Sequence, residues 1–433
     1  MTQAKRVLIL GGGFAGLSAL HTLSGQDLQI TLVDQRNYHL FQPLLYQVAT
    51  GELLGEVIAT PFRKLGQGNN WRFHLGEVQR IDLSQRKVCL RNNEILPYDY
   101  LLLALGTVTN FFGNESITNH ALQIKGLEEA EIARSKIFLA LENASNCPDP
   151  EQRKSWLRFV IAGGGAAGVE FCGALLETLR ELLPREYPEL HFSETEIILV
   201  HGGEALLPGF APSLQEHAAA RLRELGAELR LQTHVQDFDG FQVHCDQGPA
   251  IVARTLVWTA GVMAPPLLES LPGERGKGGR IKVDPYLRLP DFPEVFVLGD
   301  LAVSKEDDFW PQVAPFAMQS GRYAARFIIA QAQKHGMPAP FSYRDPGSMA
   351  VVGRLDGVCQ IHGWVSRGAI AWILWLLLHL YRIIGTGNRL RTLLDWFSDY
   401  FRRNNAVQLI RPLHLADGHK REKSKENGKE ECG

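Results

Sequence analysis

"RVLILGGGFAGLSAL", Arg6 to Leu20, decides how the chain begins to fold. Val7 to Leu10 form a short apolar run that reads as a buried strand, Gly11-x-Gly13-x-x-Gly16 follows at once, and a helical pattern comes next. The spacing has a chemical reason. The first glycine makes a tight turn, the second lets the backbone approach a pyrophosphate, and the third lets the helix pack closely on its strand, with its N-terminus facing the phosphates. A second strand, "QITLVD", ends in Asp34, about twenty residues downstream, where a ribose hydroxyl needs an acceptor. Lys5 and Arg6 ahead of the apolar run could open a signal peptide, but Gly11, Gly12 and Gly13 break that run and no small-residue cleavage site follows; export is not expected.

The pattern recurs in "LRFVIAGGGAAGVEFCGALL", Leu157 to Leu176, as a strand, Gly163-x-Gly165-x-x-Gly168 and a helix. Two cradles in one chain imply two dinucleotides, and a repeated pattern is far more specific than either copy. One bound redox cofactor and one exchanging nicotinamide is the natural division, which makes the expected chemistry hydride transfer. Two further strands fit. "YDYLLLALGT" ends in Gly106 and Thr107 and would close the first nucleotide domain. "EVFVLGDLA" ends in Gly299 and Asp300, whose carboxylate could accept bonds from a flavin's ribityl hydroxyls or cap the next helix.

Composition sets bounds. A length of 433 residues gives two to three domains. The net charge of −2 offers no basic face for nucleic acid. Cysteines at 89, 147, 172, 245, 359 and 432 form no Cys-x-x-Cys pair, so no zinc site or dithiol relay is written locally, and scattered thiols suit a reducing compartment.

These residues carry a resemblance. The chain resembles the type II NADH dehydrogenases, single-subunit NADH:quinone oxidoreductases among the flavoproteins with two dinucleotide-binding domains. The likeness runs from about residue 5 to about residue 410. Its marks are "NYHLFQPLLYQVATG" (Asn37 to Gly51), "GGGAAGVEFCGAL" (Gly163 to Leu175), "LVWTAGV" (Leu256 to Val262), "GDLA" (Gly299 to Ala302), "FAMQSGRYAA" (Phe316 to Ala325) and "FSYRDPGSMAVVGR" (Phe341 to Arg354). The resemblance implies an α/β fold with two Rossmann-like domains. The FAD-binding domain (1–115 and 275–345) would be split around the NAD(P)H-binding domain (116–274), with a helical membrane-docking and dimer region at 346–415. FAD would be held by Gly11, Gly13, Gly16, Asp34, Gly106, Asp300 and Gln319. The exchanging NADH or NADPH would be held by Gly163, Gly165, Gly168, Glu170, His201 and Gly261. Glu170 matches a family glutamate near the nicotinamide and the quinone side of the flavin; a first-turn acid favoured by the helix dipole is the plainer reading. Gln319 matches a family glutamine beside the flavin and the quinone tunnel; a helix-surface amide is its plainer reading. The implied reaction is hydride transfer to the flavin and two-electron reduction of a membrane quinone without proton pumping, by a homodimer on the inner face of the cell membrane.

Two departures stand out. Many members carry a second glutamine four residues before the one matching Gln319, and here Pro315 stands there, without amide or backbone donor. NADH-specific members similarly carry glutamate at the position of His201, in "EIILVHGGEALLP". A neutral imidazole removes the repulsion of the NADPH phosphate and a protonated one would attract it, so use of NADH with tolerance of NADPH, growing as pH falls, is expected. Two other functions stay open: a sulfide:quinone oxidoreductase, which would need a cysteine pair such as Cys172 and Cys359, and a flavin-bearing scaffold whose redox state governs a partner.

"AIAWILWLLLHLYRIIG", Ala369 to Gly385, is the remaining puzzle. Fourteen residues separate Arg367 from Arg382, about 21 Å of helix, where a span needs about twenty apolar residues; His379 also interrupts the run. "NRLRTLLDWFSDYFRRNN" then places Leu390, Leu393, Leu394, Phe397 and Phe401 at helical spacing, flanked by Arg389, Arg391, Arg402 and Arg403. Residues 369–403 therefore read as helices lying on a bilayer surface with Trp and Phe toward lipid, or as a pair packed on the core. Residues 416–433 have almost no apolar content and read as a disordered tail.

Overall fold

Lys5–Leu10 runs inside a six-stranded sheet whose order is Arg288–Leu289, Phe292–Val297, Tyr100–Leu103, Lys5–Leu10, Leu28–Asp34 and Trp71–Leu75. The computed structural model describes residues 4–65, 70–306, 310–334, 336–402 and 407–410. All neighbours in this sheet are parallel except the Arg288–Leu289 edge, and Ile9 lies between Leu32 and Leu102. Strands covered on both faces need continuous apolar runs rather than alternation, which is how Val7–Leu10 and Leu101–Leu103 are written. The Phe14–Leu23 helix packs on the Ala314–Ala332 helix so closely that a Cβ on Gly321 would collide with the Ala15 carbonyl. Strand Phe292–Val297 thus joins this sheet after the chain has built a second one.

That second sheet is wholly parallel, in the order Leu122–Gln123, Thr255–Trp258, Arg158–Ala162, Glu196–Val200 and Ala227–Arg230. Its two faces feed different cores. Val160, Ala162, Ile198 and Val200 pack with Phe238 and Trp258. Phe159, Ile161, Ile197 and Leu199 pack with the Leu40–Ile58 segment and with Trp372, Trp375 and Trp396 from the end of the chain.

The C-terminal region departs from its helical expectation. It opens with an antiparallel sheet of Ser348–Gly353, Asp356–Ile361 and Trp364–Gly368. The apolar alternation and the glycines at 353, 357 and 363 carried that signal, hidden beside the louder helical run. The sheet lies on the Ala166–Glu186 helix, where a Cβ on Gly173 would strike the Val352 carbonyl. His217 Nε2 lies 2.7 Å from Asp356, and the Arg354 amide donates to Glu177 at 2.7 Å, which pins the hairpin turn to the same layer.

Helices Ala369–Arg382 and Thr386–Arg402 follow. Among the described residues no helix is long and apolar enough to cross a membrane. Both helices are two-faced, but not as their sequence suggested. Trp372, Trp375 and Trp396 turn inward and are at most 9 % exposed, whereas Ile370, Ile373, Leu377, Leu390, Leu393, Leu394 and Phe397 are 47 to 63 % exposed. The tryptophans therefore join the core, and among the described side chains the outer face is made by branched aliphatics with Tyr381 and Phe397. Indoles carry the largest apolar area and an N–H that needs a partner, and for Trp396 the protein supplies both: its Nε1 donates to Gln47 Oε1 at 3.1 Å. Arg403 and the 416–433 tail lie outside the described residues.

Candidate active site

The two glycine turns are built alike, atom for atom. In the first, the Gly11 amide donates to the Val33 carbonyl (2.8 Å) and the Leu17 amide to Gly13 (3.0 Å); in the second, Gly163 donates to Val200 (2.8 Å) and Val169 to Gly165 (3.0 Å). Gly11 and Gly163 hold φ of +100 and +114, a region that favours glycine. A Cβ on Gly16 would strike the Gly11 carbonyl, and one on Gly168 the Gly163 carbonyl. The middle glycines differ from both. Around Gly13 and Gly165 no heavy atom lies within 4 Å of where a Cβ would stand. Each is the N-cap of its helix, with no side-chain cap and no acid in the first turn. The arrangement leaves open space in front of unpaired backbone donors, which is what an anionic pyrophosphate requires.

Asp34 closes the first cradle. Its carboxylate accepts from the Gly12 amide (2.7 Å) and the Arg36 amide (2.8 Å); burial pushes its pKa up, and those two bonds together with the Arg36 charge oppose the shift. The second cradle repeats the contact with a different group. The Gly164 amide donates to His201 Nδ1 at 3.2 Å. A nitrogen accepting that bond is unprotonated, so the neutral ring carries its proton on Nε2. Burial holds the His201 pKa below its ordinary value, a bond to the Ala205 backbone opposes this, and His234 adds to the lowering. His201 is therefore a neutral stand-in for the carboxylate, and its protonation belongs at lower pH than the sequence suggested. Glu204 is exposed three residues on.

At the carboxyl end of the first sheet, Gly106 (φ +67) has empty space around it, and Asp300 is the middle residue of the Gly299–Leu301 turn. Thr107 Oγ1 lies 3.4 Å from Asp300 Oδ2 and accepts from Lys125 Nζ at 2.8 Å. Burial raises the Asp300 pKa while Lys125, Arg280 and Thr107 lower it; burial lowers that of Lys125 and Asp300 raises it. Lys125 was not foreseen, because a single lysine in "LQIKGLEE" carries no pattern. Nor was His39, whose buried ring bonds the Gly12 carbonyl at 2.9 Å, although it stands inside the "NYHLFQP" string.

Gly261 precedes the Val262–Met263 strand, which pairs antiparallel with Val108–Thr109. Its carbonyl accepts from the Asn110 amide (3.0 Å), and Trp258 Nε1 donates to the Asn110 carbonyl (2.9 Å). Gln319 lies on the Ala314–Ala332 helix with its amide engaged both ways: Nε2 donates to the Arg344 carbonyl (2.7 Å) and Oε1 accepts from the Arg344 amide (3.1 Å). Pro315 costs less than its chemistry suggests, since it occupies the first turn of that helix, where a backbone donor would lack a helical partner anyway.

Glu170 is not a first-turn acid. No acid occupies the first turn of the Ala166–Glu186 helix, and Glu170 is 9 % exposed, facing the C-terminal sheet and helices. Its Oε1 accepts from the Val351 amide at 3.3 Å and its carboxyl bonds the Trp375 side chain. Burial pushes its pKa up to about 8, the two hydrogen bonds holding it from rising further. Cys172, two residues on, is buried with its thiol pushed well above the ordinary range; Cys359 is buried in its strand opposite Met349 and Ser366. A nucleophilic pair needs an accessible thiolate, and neither residue offers one.

Residues 5–321 match the model of the pyridine nucleotide-disulphide oxidoreductase family. The chain is 38% identical over 409 residues to the type II NADH:quinone oxidoreductase Ndh of Mycobacterium tuberculosis, covering 91% of this chain and 88% of that one. It is 30% identical over 370 residues to the type II NADH:quinone oxidoreductase of Staphylococcus aureus, covering 83% and 90%. In fold it is similar to NDH2 of Plasmodium falciparum in complex with NADH, with a TM-score of 0.85 at 20% identity over 94% and 99% of the two chains. The sulfide:quinone oxidoreductase of Aquifex aeolicus has a TM-score of 0.71 at 17% identity over 94% and 96%. Fold alone therefore does not separate the two activities, whereas the sequence relatives and the buried thiols point the same way. The chain belongs to the type II NADH:quinone oxidoreductases, within the pyridine nucleotide-disulphide oxidoreductase family.

Proposed function

We propose that the chain oxidises NADH and reduces a membrane quinone, with FAD as the resident cofactor in the first cradle and the coenzyme exchanging in the second. The observation that carries this reading is the duplicated cradle, open only at Gly13 and Gly165. FAD, when bound, supplies a two-electron relay between a nicotinamide and a quinone. The chain's own residues do the rest. The first-turn amides after Gly13 hold the pyrophosphate, Asp34 accepts from the adenosine ribose, and Asp300, with Gly106 beside it, takes the ribityl hydroxyls. Thr107 orients Asp300, and Lys125 and Thr107 oppose the rise that burial imposes on its pKa. Gly163, Gly165 and Gly168 do for the coenzyme what the first three glycines do for FAD, and Gly261 lines the same crevice. On this reading residues 1–115 and 275–345 form the FAD-binding domain and 116–274 the coenzyme-binding domain. Quinone reduction consumes two protons, and Glu170 holds one at neutral pH where the coenzyme-binding helix meets the C-terminal region. Gln319 is best read as the clamp that keeps the Arg344 loop on its helix.

Residues 346–415 form the docking region, supported by the outward aliphatic face and by Arg367, Arg389 and Arg391 along its edges. A quinone dissolved in a bilayer requires such a surface on its reductase. The family resemblance further assigns a second copy of the chain to this region. The test of the whole reading is one spectrum followed by one addition. Purified protein should show flavin absorbance that bleaches with NADH and returns when a ubiquinone or menaquinone analogue is added, over many turnovers. A flavin that bleaches but does not turn over with any quinone would favour the redox-governed scaffold.

Coenzyme choice follows from His201. A neutral ring accepts the Gly164 amide as a carboxylate would, without repelling a 2′-phosphate. NADPH should therefore be used alongside NADH. His201→Glu should lower kcat/KM for NADPH by about tenfold or more and change NADH little, since a carboxylate beside a phosphate costs binding. Because the folded-state pKa is lowered, the imidazolium forms only below the ordinary value of about 6.5. The NADPH-to-NADH ratio should then be flat from pH 8 to 7 and climb only at the acid end of a titration. A wild-type ratio near zero throughout, unmoved by the substitution, would remove His201 from coenzyme selection.

A further inference from the structure

Glu170 is held by two elements, neither of which belongs to the sheet it serves. Strand Ser348–Gly353 brings the Val351 amide, and helix Ala369–Arg382 brings the Trp375 side chain. Trp375 is itself fixed from several sides. It is 1 % exposed, its ring lies 6.3 Å from that of Tyr46, and His379 stacks on it at 3.9 Å with 25° between the planes. His379 in turn bonds the Trp375 carbonyl at 2.7 Å and meets Phe41 edge-on at 6.0 Å. An indole has a single polar hydrogen, so its bond to the Glu170 carboxyl is made by the Nε1–H. We propose that Trp375 is a positioning residue for Glu170, its indole N–H tying the acid of the coenzyme-binding helix to the helix whose other face is the docking surface. The inference rests on the reading of Glu170 as a proton-holding group of the quinone reaction.

The surroundings leave this donor unusual leverage. His379, behind Trp375, is pushed down to about 4 by burial and is neutral near pH 7. Arg382, one turn on, lies with Nη1 3.4 Å from Met318 Sδ. Helix Leu45–Thr50 contributes Tyr46 and Gln47, the latter accepting from Trp396. On the acid's own helix Cys172 is a neutral thiol, and Glu177, two turns away, accepts from the Arg354 amide. What opposes the desolvation of Glu170, among the described residues, is two hydrogen bonds and no ion pair. A donor to a carboxylate favours its ionised form, so losing one of two raises the pH of ionisation. Docking, coenzyme and proton thereby share one rigid contact.

Trp375→Phe keeps an aromatic ring and deletes only the donor. The carboxylic C=O infrared band that disappears in Glu170→Gln should titrate about one pH unit higher in Trp375→Phe holoenzyme than in the wild type. Flavin content and binding to liposomes should be unchanged. A folded Trp375→Phe whose band titrates as in the wild type overturns the inference. Should that variant not fold, the wild type answers alone: one tryptophan indole N–H resonance must shift with pH in step with the Glu170 band and lose that response in Glu170→Gln, and its absence counts equally against the inference. Quinone turnover untouched by Glu170→Gln would sink the underlying reading instead, while the infrared titration would still decide the contact.

Discussion

Gly13→Val should give a folded, colourless protein. Gly13 has φ −70 and ψ −164, extended backbone that valine adopts readily, and no protein atom stands within 4 Å of its would-be Cβ. The substitution therefore meets no steric cost in the chain itself. Its methyl groups instead fill the space a pyrophosphate needs and stand between that anion and the amides of the first turn. Affinity for FAD should fall by about 10²-fold or more, since two or more charge-assisted hydrogen bonds are lost, each contributing about 1.5 to 3 kcal/mol. Circular dichroism should stay native, and absorbance of the purified protein reads the loss. Gly165→Val is the informative companion: it should keep its flavin and lose reduction by NADH. Gly16→Val should do neither cleanly, because its Cβ would strike the Gly11 carbonyl and disrupt the turn. A yellow Gly13→Val protein with full FAD would show that the first cradle is misassigned.

The proposed docking face should yield the second large effect. Leu377, Leu394 and Phe397 are 56 to 59 % exposed. Replacing all three with glutamate removes apolar area that would enter lipid and adds charge that anionic headgroups repel. Transfer of each such side chain is worth about 1.5 to 3 kcal/mol when complete. Partition into anionic liposomes should fall on the order of 10²-fold or more, and activity with lipophilic quinones should fall with it. Flavin reduction by NADH and activity with a water-soluble quinone should survive. A triple variant that stays on the liposomes would show that another surface makes the contact. Truncation near Leu355 is a poorer experiment, because it severs the Ser348–Gly353 strand from its partner and uncovers the core that Trp372, Trp375 and Trp396 complete.

What the sequence reveals follows the range of the interaction involved. The strand, glycine turn and helix of each cradle are local, and the first and third glycines there answer backbone requirements at their own positions while the second leaves space, so both units could be read directly. Asp34 was legible for the same reason. Its fixed distance from the turn places it against Gly12. Lys125, Thr107 and Asp300 meet across 193 positions of chain, and no spacing rule reaches that far. Glu170 was noticed by its place after the third glycine, but its partners, Val351 and Trp375, come from a region whose sheet went unread. The two C-terminal helices show a different failure. Periodicity locates an apolar stripe without saying which apolar residues face the protein, and here two tryptophans and the aliphatics alternate around one helix.

That division of labour between indoles and aliphatics has an optical consequence. Peripheral helices often report their own arrival at lipid, since an interfacial tryptophan leaves water and its emission shifts to the blue. In this chain Trp372, Trp375 and Trp396 have already left water in the free protein. Their fluorescence should be blue before any vesicle is added, and brominated acyl chains should quench it weakly. Trp364, 51 % exposed on the neighbouring strand, is the one indole of this region positioned to answer. A Trp364→Phe protein should therefore land on a membrane in spectral silence.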